Sequence, residues 1–202
     1  MKRFINPQFS PACAAITAGV AISCTIKQVA GTTDKLILFN YDEIASYTRN
    51  GTNTQIIEAI TMVVNVPAYT GFAFEGKQQS LEPKQTLVRT RYNTGWDHEV
   101  VFKVFDSQPT TKQQIEKMAE SRLVAIVENN FKGTAGNAAY EVYGIDTGLY
   151  MLVGERNVSD PESMGAFNVT LKTDLSKEGH LPATFFLTDY ATTKALVEAL
   201  YP

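Results

Sequence analysis

Long hydrophobic runs are missing from this chain, as are clustered cysteines, clustered histidines and any excess of basic charge. Each absence excludes something. The longest largely apolar stretch, Ala12–Cys24, is diluted by Thr17, Gly19 and Ser23. It is too short and too mixed to cross a bilayer as a helix, so no membrane partner is expected. The two cysteines, Cys13 and Cys24, cannot build a disulfide framework, and no metal-ligand spacing surrounds them. Reduced thiols in a chain made in the cytoplasm are the expectation. The formal net charge is −3, and the basic residues come as scattered pairs: Lys2 and Arg3, Arg89 and Arg91, Lys112 and Lys117. A phosphate-binding face usually clusters its cations.

The chemistry-bearing residues are equally sparse. The two histidines are His98 and His180. Asp97-His98-Glu99 sets three possible ligands side by side, but neighbours on a strand point to opposite faces. A metal site needs several convergent ligands, so none is expected here. His180 falls in a loop and reads as solvated. No P-loop, dinucleotide turn, zinc pair or nucleophile elbow occurs. Gly144-Ile145-Asp146-Thr147-Gly148 superficially resembles the Asp-Thr-Gly loop of aspartic proteases. Those enzymes need two carboxylates in one site, and the chain has no second such loop. Asn157-Val158-Ser159 and Asn168-Val169-Thr170 match glycosylation acceptors, which count only in a secreted chain. No catalytic residue, cofactor or metal is expected, and the chain does not read as an enzyme.

What the chain does hold is a series of short strand signals. At 202 residues, with 44% hydrophobic and 19% charged residues, it can bury a core without staples. Met1–Pro11 reads as an extended arm, residues 1–14 being set apart from a single domain over 15–202. Ala15–Lys27 reads as a strand or buried segment. Leu36–Phe39 suits a buried strand, Asp42-Glu43-Ile44 a single helical turn, and Asn50-Gly51 a turn. Ile56–Val66 is β-branched and stops at Pro67. Tyr69–Phe74 reads as a further strand or the tip of a projecting hairpin over Val66–Gly76. Thr86–Tyr92 and His98–Phe105 alternate, the second placing Val100, Phe102 and Val104 on one face. Tyr140–Ile145, Leu149–Val153, Ala166–Leu171 and Thr184–Thr188 complete the series. Eight to ten short strands between turns predict a mainly β protein, an antiparallel sandwich or barrel.

One amphipathic helix interrupts the strands. The pattern predicts it near Thr111–Glu128. Pro109 sits before it, Thr111 is the candidate N-cap and Gln114 its capping-box partner. Ile115, Met118, Ala119, Leu123 and Ile126 make an apolar stripe. Arg122 falls inside that stripe, with its stem on the core and its head snorkelling out, or in a salt bridge to another subunit. Leu123–Val127 also reads as a buried strand. Asp189 can cap a short C-terminal helix near 190–200.

The C-terminal third adds a pattern of its own. It runs Glu141-Val142-Tyr143-Gly144-Ile145-Asp146-Thr147-Gly148-Leu149, then a polar loop, then Gly165-Ala166-Phe167-Asn168-Val169-Thr170-Leu171, then Pro182–Tyr190. This resembles virion structural proteins of Bacteroides-type tailed phages, including crAss-like phages. The preceding strand–helix order is similar to the tail-tube fold, a sandwich or barrel flanked by a helix, over most of residues 15–190. The resemblance implies a virion subunit, made in the host cytoplasm, that forms homo-oligomeric rings in the tail or neck. Other tail and neck proteins would be its partners, and DNA would pass the lumen without specific binding. Contacts between subunits are expected from the arm, through Pro7 and Pro11, from the aromatics Tyr69, Phe72 and Phe74, and from Arg122. The alternative is a secreted or surface β-sandwich binding module of a bacterium. Ala21-Ile22-Ser23-Cys24 faintly resembles a lipoprotein cleavage site, although Asn6–Pro11 separates the basic residues from the apolar part.

Overall fold

The computed structural model describes residues 29–64, 70–77, 79–89, 94–161, 163–173 and 177–201. The arm over 1–14, with Pro7 and Pro11, the segment Ala15–Lys27, both cysteines and Tyr69 lie outside the described residues.

Two sheets form the body. The larger contains β1 (Thr32–Asn40), β2 (Ile44–Arg49), β3 (Ile56–Met62), β4 (Phe72–Glu75), β7 (Leu123–Asn129), β8 (Tyr140–Tyr143) and β11 (Ala183–Phe185). Their order is β2-β3-β11-β8-β7-β1-β4. The smaller contains β5 (Leu81–Arg89), β6 (Thr94–Val104), β9 (Tyr150–Arg156) and β10 (Phe167–Lys172) in the order β5-β6-β10-β9. Every pairing is antiparallel except β11 with β3, where Thr184 lies against Ile56. The protein is therefore mainly β, a sandwich of two open sheets with flanking helices.

Register decides which side chains meet. Leu36 and Leu38 of β1 lie opposite Val127 and Ala125 of β7. All four face the smaller sheet, where Val100, Phe102, Val169 and Leu171 close the inter-sheet core. The alternate residues Ile37, Phe39, Val124 and Ile126 face the other way, onto a second core under α2 (Tyr190–Ala199). The larger sheet is thus covered on both faces. That is why β7 reads as an unbroken apolar run rather than an alternating one. Asp189 caps α2 as expected, accepting from the Thr192 N–H at 2.8 Å.

The first helix departs from the sequence expectation. α1 spans Pro109–Glu120, not Thr111–Glu128. Pro109 is its first residue, a place where a missing N–H costs nothing. Thr111 lies inside the first turn and donates to Asp106 rather than capping, and Gln108 occupies the N-cap without a side-chain bond. Leu123–Asn129, the second half of the expected helix, is strand β7. Ile115 and Met118 are the buried part of the stripe. α1 packs along β9 and contributes these two side chains to the inter-sheet core.

The expected hairpin over Val66–Gly76 is also corrected. β3 and β4 sit at different places in the sheet, second and last in the strand order. β4 pairs with β1, Phe72 opposite Leu38 and Phe74 opposite Leu36.

Candidate functional site

Two regions gather the residues of interest, an open edge beside α1 and a buried polar lock around the Gly144–Gly148 loop. At the edge, β4 covers only Lys35–Leu38 of the nine-residue β1. Among the described residues it pairs with no other strand. Its register turns Phe72 and Phe74 toward the space between the sheets, on the same side as Leu36 and Leu38. Phe74 is tucked against Phe102, with ring centroids 5.8 Å apart. Phe72 remains 48% exposed although it faces inward. The reason is a groove between β4 and α1. It comprises two hollows, of about 510 and 430 Å³, that share Phe74 as a lining residue. Leu38, Phe72, Met118 and Leu123 give one hollow its apolar surface, and Gln114 and Lys117 of α1 stand along its rim.

Arg122 lies at the junction of α1 and β7, outside the helix. Its stem passes over Gly148, where an added Cβ would sit 2.2 Å from the arginine Cγ. Gly148 also has φ +82°, a conformation that glycine adopts without strain. The guanidinium stacks over Tyr41, 3.9 Å from the ring centroid, and reaches Asp42 Oδ1 at 2.5 Å. Its carboxylate partner is thus in the same chain. The backbone joins in: Tyr41 N–H donates to the Arg122 carbonyl at 2.8 Å. This cluster ties the residue that joins α1 to β7 to the end of β1 and to the Gly144–Gly148 loop.

The second region was not legible as a site. Glu178, from a polar loop, is buried and accepts from the Thr147 N–H and Thr147 hydroxyl, both at 2.9 Å, and from the Asp146 N–H at 3.2 Å. Asp146 accepts from the Tyr47 hydroxyl at 2.5 Å and from Arg49 at 3.0 Å. Burial pushes the Glu178 carboxyl up, against the pull of Thr147. For Asp146 burial acts in the same sense, but the Tyr47 and Arg49 donors outweigh it and hold the group below the usual carboxylate range. So a second carboxylate does stand beside the Asp-Thr-Gly loop, although it comes from no matching loop. Its donors are the loop's own backbone and hydroxyl groups, which makes it a clamp on that loop.

His98 closes the lock from beneath. Its Nδ1 accepts the Gly144 N–H at 3.1 Å, and Nε2 lies 3.0 Å from the His180 carbonyl. Nε2 must therefore carry the proton, so the ring is the neutral Nε2–H tautomer. Burial holds its pKa down at about 4. His180 is exposed and contributes its carbonyl rather than its ring. Among the described residues no group of three His, Cys, Asp or Glu side chains is placed to hold a metal.

Of the residues expected at subunit contacts, Phe72 and Phe74 meet at the groove, whereas Arg122 lies outside its lining, paired with Asp42 of its own chain. Leu38, Met118 and Leu123 line the same hollow from within the inter-sheet core and are themselves buried. Comparison with protein-family models, with curated proteins and with solved structures gives no match.

Proposed function

We propose that this chain is a ring-forming structural subunit of a phage tail or neck, one of the copies that line a DNA conduit. The observation that carries the reading is the open architecture: β2 and β4 end the larger sheet without further strands among the described residues, and an apolar groove runs beside β4. Sheet edges of this kind invite pairing with another chain, and a ring subunit uses such pairing as its joint. The resemblance of the C-terminal third to virion proteins supports the same reading.

The outward face of the smaller sheet suits the wall of a conduit. Lys84 pairs with Glu82, and Lys172 with Glu99 and Asp97. Cations matched by carboxylates give passing phosphates little to hold, because phosphate affinity comes from unneutralised Lys and Arg, and among the described residues Lys103 is the cation of this face of β6 without an ion pair.

Negative-stain electron microscopy of the purified chain tests the proposal. Rings or short tubes of uniform diameter are expected. A chain that stays monomeric in sedimentation at high concentration would overturn self-assembly. An intact mass showing a cleaved, lipidated Cys24 would replace the reading with that of a bacterial surface module.

A further inference from the structure

The open edge of β4 has a candidate occupant in the chain's own sequence. We infer that the groove between β4 and α1 receives part of the segment Ala14–Ile26 of a neighbouring copy as an added β-strand, over the four-residue length of β4. The inference rests on the ring-forming reading, which supplies the neighbour.

The sequence of that segment alternates, with Ala15 and Ala21 as small apolar members of its second face. Ala14, Ile16, Ala18, Val20, Ile22, Cys24 and Ile26 are apolar, while Ala15, Thr17, Gly19, Ala21, Ser23, Thr25 and Lys27 are small or polar. Period two over thirteen residues is the pattern of a strand buried on one face. Its thirteen residues carry no charge, which suits the apolar floor of the hollow beside α1; the charged residues Asp34, Glu75, Lys77, Lys103 and Asp106 line the other hollow. The receiving edge has the complementary pattern. Phe72 and Phe74 turn inward and Ala73 and Glu75 outward, so a strand hydrogen-bonded to β4 would alternate in the same way. Its apolar side chains would fall beside Phe72 and Phe74 and over Met118, covering the half-exposed Phe72.

Chain length permits the exchange. Twenty-eight residues precede Val29, the first described residue, and Val29 stands at the surface. The segment itself ends at Ile26, so only Lys27 and Gln28 link it to Val29, a reach of about 10 Å. The receiving groove is therefore one that a neighbouring copy opens beside Val29.

The chain carries its own reporters, since of its two cysteines Cys13 immediately precedes the segment and Cys24 lies within it. A third cysteine on the groove rim, Gln114→Cys or separately Lys117→Cys, sits on the exposed side of α1 and leaves the core untouched. A disulfide needs Cβ atoms about 4 Å apart, so oxidation of the full-length protein with copper phenanthroline reads proximity. Differently isotope-labelled copies are mixed before oxidation. The expected result is a disulfide from the rim cysteine to Cys13 or Cys24 joining two different copies, at roughly ten times the yield given by Thr52→Cys in the distant Asn50–Asn53 turn. Links found only within one copy, or yields equal to the Thr52→Cys control, would overturn the inference. Rings in the microscope without a rim cross-link would remove this joint and leave the ring reading standing. Cross-linked copies that never close into rings would keep the joint and remove the ring reading.

Discussion

His98 shows how a single residue ties this fold to pH. Its ring is buried, accepts from Gly144 and donates to the His180 carbonyl. The folded chain holds its pKa near 4, against an ordinary value of 6.5. Between those values the unfolded chain takes up a proton that the folded chain refuses. The stability linked to this group is complete above pH 6.5 and is lost as pH falls toward 4, by about 3 kcal/mol over the full gap. Glu178 runs the other way, because a carboxyl held above its ordinary value gains stability on acidification. The His98→Gln variant separates the two. Urea unfolding at pH 7 and pH 4.5 should show a much smaller acid loss in the variant than in the parent, and an unchanged loss would count against the assignment. Gly71 makes a steric case at the same scale. An added Cβ would meet the Phe39 ring at 2.5 Å, and Phe39 is fully buried. Gly71→Ala should cost about 1–3 kcal/mol by overpacking, read as a lowered urea midpoint with an unchanged slope.

Elements were legible in proportion to how local their causes are. Val100, Phe102 and Val104 alternate because one face of β6 is buried, and the structure places all three in the core. Asp189 was readable as a cap because the cap and its N–H partner are three residues apart. The end of α1 was not readable. Leu123 and Ile126 continue the helical spacing of Ile115 and Met118, yet β7 is buried on both faces, and an all-apolar run fits either period. Pairing was still less legible: β11 beside β3 and β4 beside β1 join segments far apart in sequence. Glu178 gave no signal, since its partners on Asp146 and Thr147 are brought to it only by the fold. One weakness of α1 is local and correctable. Gln108 occupies the N-cap in an extended conformation, φ −62° and ψ 155°; its carbonyl accepts the Lys112 N–H, but its side chain makes no cap bond. Ser, Thr, Asp and Asn at this position accept a helix N–H. Gln108→Ser should raise stability by about 0.5–1 kcal/mol, seen as a higher urea midpoint. Because residue 108 precedes the groove-lining positions of α1, assembly should be unchanged.

At the scale of the whole molecule, the direction of the joint determines what can be built. The edges β2 and β4 lie at opposite ends of a seven-stranded sheet, about 29 Å apart at the usual strand spacing. A segment entering the β4 groove of the next copy makes a head-to-tail contact, in which donor and acceptor surfaces differ. Such contacts close into rings or run on as filaments, whereas a self-complementary contact stops at a dimer. The asymmetry can be tested by separating the two halves. Phe72→Ser damages the acceptor, and since Phe72 is half exposed it should fold normally. Val20→Asp with Ile22→Asp damages the donor by placing two carboxylates where apolar side chains are required, and burying an unpaired charge is costly. Each full-length variant alone should remain monomeric in sedimentation. An equal mixture still contains one intact donor, on the Phe72→Ser chain, and one intact acceptor, on the other. It should form a one-to-one heterodimer and grow no further, because each resulting complex presents one damaged donor and one damaged acceptor. Native mass spectrometry distinguishes this from a symmetric interface, which would leave the mixture monomeric or let either variant dimerise unaided.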